Sequence, residues 1–212
     1  MQQKINTYII NLAKRTDRKA HILGQFKHRP EFNVQLVKAI LHENGALGLW
    51  QTVVHIIRDL VPQEDDYILI CEDDHQFTDA YHKEILFNEI ANAQKKGADV
   101  LLGGVSWFAD ALQIKDNLFW VDKFNATQFL IVFQGFYTKL LEAESIPGYT
   151  ADQIIYERSE NKFLIYPFIS TQKEFGYSDA TIKNNKEGYV TEIFETSDIV
   201  LSHIVKVAEY YR

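Results

Sequence analysis

The stretch Tyr67 to Phe77, YILICEDDHQF, changes character halfway. An apolar run from Tyr67 through Cys71 leads into three consecutive acids, Glu72, Asp73 and Asp74. The run has the length and composition of a strand buried on both faces. Carboxylates packed this closely repel one another unless water or a cation neutralises them. Side chains alternate along a strand, so the expected arrangement puts Glu72 and Asp74 on one side and Asp73 on the other.

Working outward, five further segments read as short apolar strands: KINTYIINL, NVQLVKA, DVLLGG, TQFLIVF and FLIYPFI. Helical stripes lie between several of them. One carries Ile22, Leu23 and Phe26, and a second carries Leu49, Val53, Ile56, Ile57 and Leu60. A third helix is expected from Asp79 to Lys96, stopped by Gly97. This alternation predicts an α/β fold with a mixed, mostly parallel sheet flanked by helices. FYTKLLEAE and TADQIIYERSEN read as short helices, and SDIVLSHIVKVAEYYR as a closing one. The long polar and aromatic stretch STQKEFGYSDATIKNNKEGYV reads as a connection. With 212 residues and no Pro/Gly/Ser-rich break, residues 1–212 are expected to form one domain.

Composition narrows the function. A net charge of -7 argues against binding nucleic acid through its phosphates. The single cysteine, Cys71, excludes an intrachain disulfide and a cysteine-cluster metal site, and it suits a reducing compartment. The apolar run near the N-terminus is too short for a signal peptide, and no segment approaches the ~18 apolar residues of a membrane span. The expectation is a cytoplasmic protein, with at most peripheral contact with a membrane.

In an open α/β sheet, ligands gather beyond the carboxyl ends of parallel strands, and the three acids fall at such an end. A hard divalent ion, Mn²⁺ or Mg²⁺, suits their oxygen ligands, with Glu72 and Asp74 as candidate metal ligands and substrate diphosphate completing the shell. The plainer alternative is a solvated strand end. The first strand ends in INLAKRTDRKAHI, where Thr16 can cap a helix and Arg15 and Arg18 sit beside its N-terminus, a setting that favours a phosphate. Thr150 and Gln153 form a T-x-x-Q capping box that places Asp152 in the first turn of a helix, either as a dipole-complementing acid or as a base facing a cleft. The histidines show no ligand-like pairing. His75 is expected in a solvent-facing turn, and His203 in the closing helix is a remote candidate for the metal. Trp107, Trp120, Tyr177 and Tyr189 could stack on a sugar or a base, though core packing is the commoner use of such residues.

Taken in order, Ile10-Asn11-Leu12 with Arg15 and Arg18, then Gly45, Gly48 and Thr52, then Glu72-Asp73-Asp74, the first half of the chain resembles glycosyltransferase family 25, which includes lipopolysaccharide and collagen galactosyltransferases. The resemblance thins after LLGGVSWF. Val53 stands where the family has a histidine, and Thr52 replaces its serine; His55 cannot inherit the role, because two residues along a helix turn about 200°. The resemblance implies a GT-A-like fold, a nucleotide-diphospho-sugar donor with a UDP-sugar favoured, a saccharide or glycolipid acceptor, and inverting transfer. It implies donor binding by Asn11, Arg15, Arg18 and Asp73, and Asp152 as general base. Two alternatives stand beside it. One is a noncatalytic nucleotide-sugar- or carbohydrate-binding relative. The other is a magnesium-dependent phosphoryl-transfer or receiver domain, which would carry its acid pair after the first strand, where this chain has NLAKR.

Overall fold

The structure, a computed structural model, describes residues 4–143, 148–178 and 182–211. The chain opens with strand β1 (Ile5–Asn11), helix α1 (Thr16–Phe26), strand β2 (Phe32–Lys38) and helix α2 (Gly45–His55), which continues into one π-helical turn over Ile56–Leu60. Strand β3 (Tyr67–Glu72), the short strand β4 (His75–Phe77), helix α3 (Lys83–Lys95) and strand β5 (Val100–Leu102) follow. Next come β6 (Trp107–Phe108), β7 (Ala111–Lys115), β8 (Leu118–Val121), β9 (Phe124–Asn125) and β10 (Phe129–Phe133). The chain closes through α4 (Gln134–Leu141), α5 (Ala151–Arg158), β11 (Lys162–Ile165), β12 (Ser170–Gln172), a 3₁₀ turn at Ile182–Asn185 and α6 (Tyr189–Tyr210).

Eight strands form one sheet in the order β2-β1-β3-β10-β5-β11-β8-β7. β2, β1 and β3 run parallel, with Ile10 opposite Glu72 and Asn11 opposite Lys38, so their carboxyl ends finish level. β10 enters antiparallel between β3 and β5. The sheet is therefore mixed, as expected, but four of its seven pairings are antiparallel, and the parallel ones are confined to β2-β1-β3 and β5-β11. An all-apolar strand does not encode its direction, because burial on both faces suits either sense.

Both faces of β3 are covered. Ile68 and Ile70 join Tyr8, Ile10, Trp50, Val53, Ile56 and Ile57 beneath α2, while Leu69 and Cys71 join Ile9, Ile22, Phe26, Leu86 and Ile90 beneath α1 and α3. Each such side chain contributes about 1.5–3 kcal/mol on burial. Leu23 does not share the stripe of Ile22 and Phe26; it is exposed, about 100° around the helix from its neighbour.

Helix ends differ from the sequence reading, as at α3, which begins at Lys83 and not at Asp79. Thr16 is the first helical residue of α1 instead of its cap, and no side chain caps that helix. α6 begins at Tyr189, earlier than expected, because Glu174 accepts from the N–H groups of Gly188 and Thr191 at 2.7 and 2.9 Å. Gly97 stops α3 with φ of 69°, as its position predicts.

One glycine fixes where the site forms. A Cβ at Gly48 would lie 2.6 Å from the Ile40 carbonyl oxygen, so the segment after β2 can press against α2 only if residue 48 lacks a side chain. One turn later the Thr52 hydroxyl accepts from Ile40 N–H at 2.9 Å and donates to Gly48 O at 2.7 Å. Gly48→Ala is expected to cost roughly 1–3 kcal/mol through overpacking. Gly24→Ala, where an added Cβ meets nothing within 4 Å, should gain roughly 0.5–1 kcal/mol from helix propensity. Thermal denaturation of both variants checks the contrast.

Candidate functional site

Beyond the level ends of β1, β2 and β3 lies a cavity of about 360 Å³. Leu12, Lys14 and Arg15 come from the segment after β1, Ala39 to Glu43 from the segment pinned by Gly48 and Thr52, and Glu72 and Asp73 from the end of β3. Lys14 and Arg15 give it cationic groups, Glu72 and Asp73 acidic ones, and Leu12, Ala39, Ile40 and Leu49 apolar surface.

The expected alternation of the acids stops at Glu72, where β3 ends and the chain turns. Asp73 and Asp74 consequently meet the same group: Arg18 Nη1 lies 3.1 Å from Asp73 Oδ1 and 3.0 Å from Asp74 Oδ2. Arg15 approaches Asp73 Oδ1 at 3.5 Å, and Asn11 Nδ2 donates to Asp73 Oδ2 at 2.9 Å and to the Arg15 carbonyl at 3.2 Å. The Arg18 guanidinium also donates through Nη2 to Tyr177 O at 2.6 Å and lies 4.7 Å from the ring centroids of both Phe175 and Tyr177. Burial alone would depress the Arg18 pKa, but Asp74 and Asp73 outweigh it and raise it.

These contacts sort the expected donor-binding residues. Arg15 and Asp73 line the cavity. Asn11 and Arg18, 3% and 5% exposed, stand behind it and are spent on Asp73 and Asp74. Arg18 faces only a recess of about 20 Å³ with Asp74 and Tyr177.

Glu72 points to the cavity. Its Oε1 accepts from Thr127 Oγ1 at 2.7 Å, and among the described residues no donor reaches Oε2. Burial first, then the charge of Asp74, pushes its pKa up to about 8, against the pull of the Thr127 hydroxyl. Burial likewise raises the pKa of Asp74, against the lowering effect of Arg18. Among the described residues, Asp74 Oδ1 is buried with no hydrogen-bond partner. Asp152 lies close enough to Glu72 to add to its repulsion. Its Oδ2 accepts from Ala126 N–H at 3.2 Å, and its Oδ1 from Gln153 N–H at 3.0 Å and from the Thr150 hydroxyl. The capping box at Thr150 and Gln153 is present.

The donor set fits a divalent cation only in part. Four carboxylates, Glu72, Asp73, Asp74 and Asp152, cluster around the end of β3; Arg15 and Arg18 pair with Asp73 and Asp74, and burial holds Glu72 toward its neutral form. The partnerless Asp74 oxygen and the open Glu72 oxygen are hard ligands of the right kind. Among the described residues, however, no group of three or more His, Cys, Asp or Glu is arranged to hold a metal. An ion would need oxygens from a ligand to complete its shell.

One histidine expectation changes. His75 is fully buried in β4, not in a solvent-facing turn; its Nδ1 pairs with Ser170 Oγ at 2.7 Å, and its ring packs against Phe26, Phe77 and Phe129. Burial drives its pKa well down, so it stays neutral. His203 is exposed on α6. Of the aromatic candidates, Tyr177 is engaged by Arg18, Trp120 donates through Nε1 to Glu160 O at 2.8 Å, and Trp107 is exposed. Thr127, Lys14 and the segment from Ala39 to Glu43 were not singled out in the sequence. Only the Gly48/Thr52 pair, one helical turn apart, signalled that segment.

No protein-family model and no curated protein sequence matches the chain. Among solved structures it is similar to A197 from STIV, with a TM-score of 0.49 and 10% identity over 84% of this chain and 87% of that one. It is similar to UDP-glucose pyrophosphorylase complexed with UDP-glucose, with a TM-score of 0.49 and 9% identity over 91% and 80%. Mouse xyloside xylosyltransferase 1 follows at 0.37 and 12% identity, over 65% and 58%. These are loose likenesses, and none decides an activity. No helix among the described residues is long and apolar enough to cross a membrane.

The Arg18 contacts carry an energetic prediction. Arg18→Met keeps the apolar stem but strands Asp73 and Asp74, and is expected to lower stability by roughly 3–5 kcal/mol. Arg58→Met, at an exposed pair with Asp59, should leave the unfolding midpoint nearly unchanged. Chemical denaturation of both variants checks this.

Proposed function

We propose that the chain is a nucleotide-diphospho-sugar glycosyltransferase of the family 25 type, moving a sugar with inversion from a UDP-sugar to a saccharide or glycolipid acceptor. The observation that carries the reading is the cavity at the carboxyl ends of β1, β2 and β3, with Lys14 and Arg15 on one wall, Glu72 and Asp73 on another, and Leu12, Ala39, Ile40 and Leu49 between. The apolar surface suits a base and the cationic wall suits phosphate oxygens. Acids and cations in one cavity suit a ligand whose own negative charge arrives with a metal.

In this reading Glu72 and Asp74 are the residues that would hold a divalent ion. When bound, that ion supplies positive charge for the departing diphosphate. Arg15 orients the phosphates, and Asp73, fixed by Asn11, Arg15 and Arg18, holds Arg15 in place. The Gly48 and Thr52 contacts keep the segment from Ala39 to Glu43 against the nucleoside. The acceptor hydroxyl attacks opposite the diphosphate, whose bond to the sugar breaks as the new one forms, and the hydroxyl proton passes to solvent.

A second reading, a binding protein without turnover, draws on Val53. At the position of the family histidine, this side chain is 2% exposed in the core beneath α2 and presents nothing to the cavity.

Calorimetry with UDP and Mn²⁺ tests the proposal. UDP should bind with Mn²⁺ present, and EDTA should weaken it at least tenfold. Glu72, held protonated up to about pH 8, must lose its proton to ligate, so Mn²⁺ affinity should rise from pH 6 to pH 8.5 and Glu72→Gln should flatten that rise. Equal UDP affinity with and without metal contradicts the metal-dependent reading. Binding without hydrolysis or transfer across a donor panel selects the second one.

A further inference from the structure

Among the described residues, Ala126 is the non-glycine residue with positive φ, at 106°. An L side chain rarely adopts this conformation, and such a residue persists only where its surroundings hold it. The surroundings here are specific. Ala126 N–H is held by Asp152 Oδ2 at 3.2 Å, and Asp152 is itself anchored to the start of α5 through Gln153 N–H and the Thr150 hydroxyl. The next residue, Thr127, is buried and donates its hydroxyl to Glu72 Oε1 at 2.7 Å. Gln128 follows, and its carbonyl accepts from Glu72 N–H at 3.2 Å while its side chain donates to Gly104 O at 3.1 Å. Residues 126 to 128 thus grip the end of β3, and Asp152 is the far anchor of that grip.

We propose that Asp152 is a positioning residue: it holds the Ala126 turn so that Thr127 fixes the Glu72 carboxylate toward the cavity. Both of its oxygens are turned onto donors of the protein, an arrangement suited to a clamp and not to a base that must meet an acceptor hydroxyl. The inference rests on the proposed function only for the importance of Glu72.

The test is a thermodynamic cycle of Asp152→Ala, Ala126→Gly and the double variant, read by unfolding midpoint, by affinity for Mn²⁺ alone and by donor turnover. Asp152→Ala should lower the midpoint by roughly 2–8 °C and weaken Mn²⁺ binding. Ala126→Gly alone should match or exceed the wild-type midpoint, because glycine takes this φ without strain. The double variant should regain roughly half of the lost midpoint, the bonds to Thr150 and Gln153 staying broken, and turnover should return to within roughly tenfold of wild type. Turnover that stays down by 10²-fold or more while the midpoint recovers would make Asp152 a base and overturn the proposal. So would a midpoint that falls in Ala126→Gly or fails to recover in the double variant. If the wild type neither binds Mn²⁺ nor turns over donor, the proposed function fails, and the midpoints of the cycle still decide the clamp.

Discussion

The Arg18 guanidinium, wedged between Asp73 and Asp74 and sealed by Phe175, Tyr177 and the Tyr177 carbonyl, is the contact on which the site depends. Three consecutive acids at the end of a buried strand would repel one another and drive that end into solvent. With a cation supplied from α1, two of them become internal struts. Removing either partner would leave a buried charge uncompensated, which costs far more than the intact pair contributes. Among the described residues the acid left without an arginine partner is Glu72, displaced to the cavity side, where burial holds it toward its neutral form.

That displacement gives the two sides of the site different jobs. On the β1 side, Asn11, Arg18 and Asp73 form a rigid frame that presents Arg15. On the β10 side, Thr127 and Asp152 set the direction of Glu72. The antiparallel insertion of β10 makes the second arrangement possible, because it brings the chain before Phe129 back to the carboxyl end of β3, with Phe129 opposite Cys71. A parallel strand in that place would put its opposite end there.

Much of this was legible in the sequence. All six expected core strands form, since each is an apolar run of strand length bounded by turns. The capping box before Asp152 and the stop at Gly97 follow from local chemistry that needs no tertiary partner. What was not legible depended on contacts distant in sequence. The burial of Arg18 between Asp73 and Asp74 requires Tyr177, 159 residues away. The early start of α6 requires Glu174, and the burial of His75 requires Ser170 and a cage of phenylalanines. The alternation rule failed at Asp73 because the strand ends at Glu72, two residues before the run of acids does.

In the proposed function, Glu72, which pairs with neither Arg15 nor Arg18 among the described residues, gives up its proton to a metal that it shares with a nucleotide diphosphate. Anomalous scattering from crystals grown with Mn²⁺ and UDP measures this directly. The account predicts a manganese peak at the Glu72 carboxylate, with UDP phosphate oxygens completing its shell and the Arg18 contacts to Asp73 and Asp74 unbroken. UDP bound in the cavity with no manganese peak beside Glu72, or a peak that displaces Arg18 from Asp74, would contradict it.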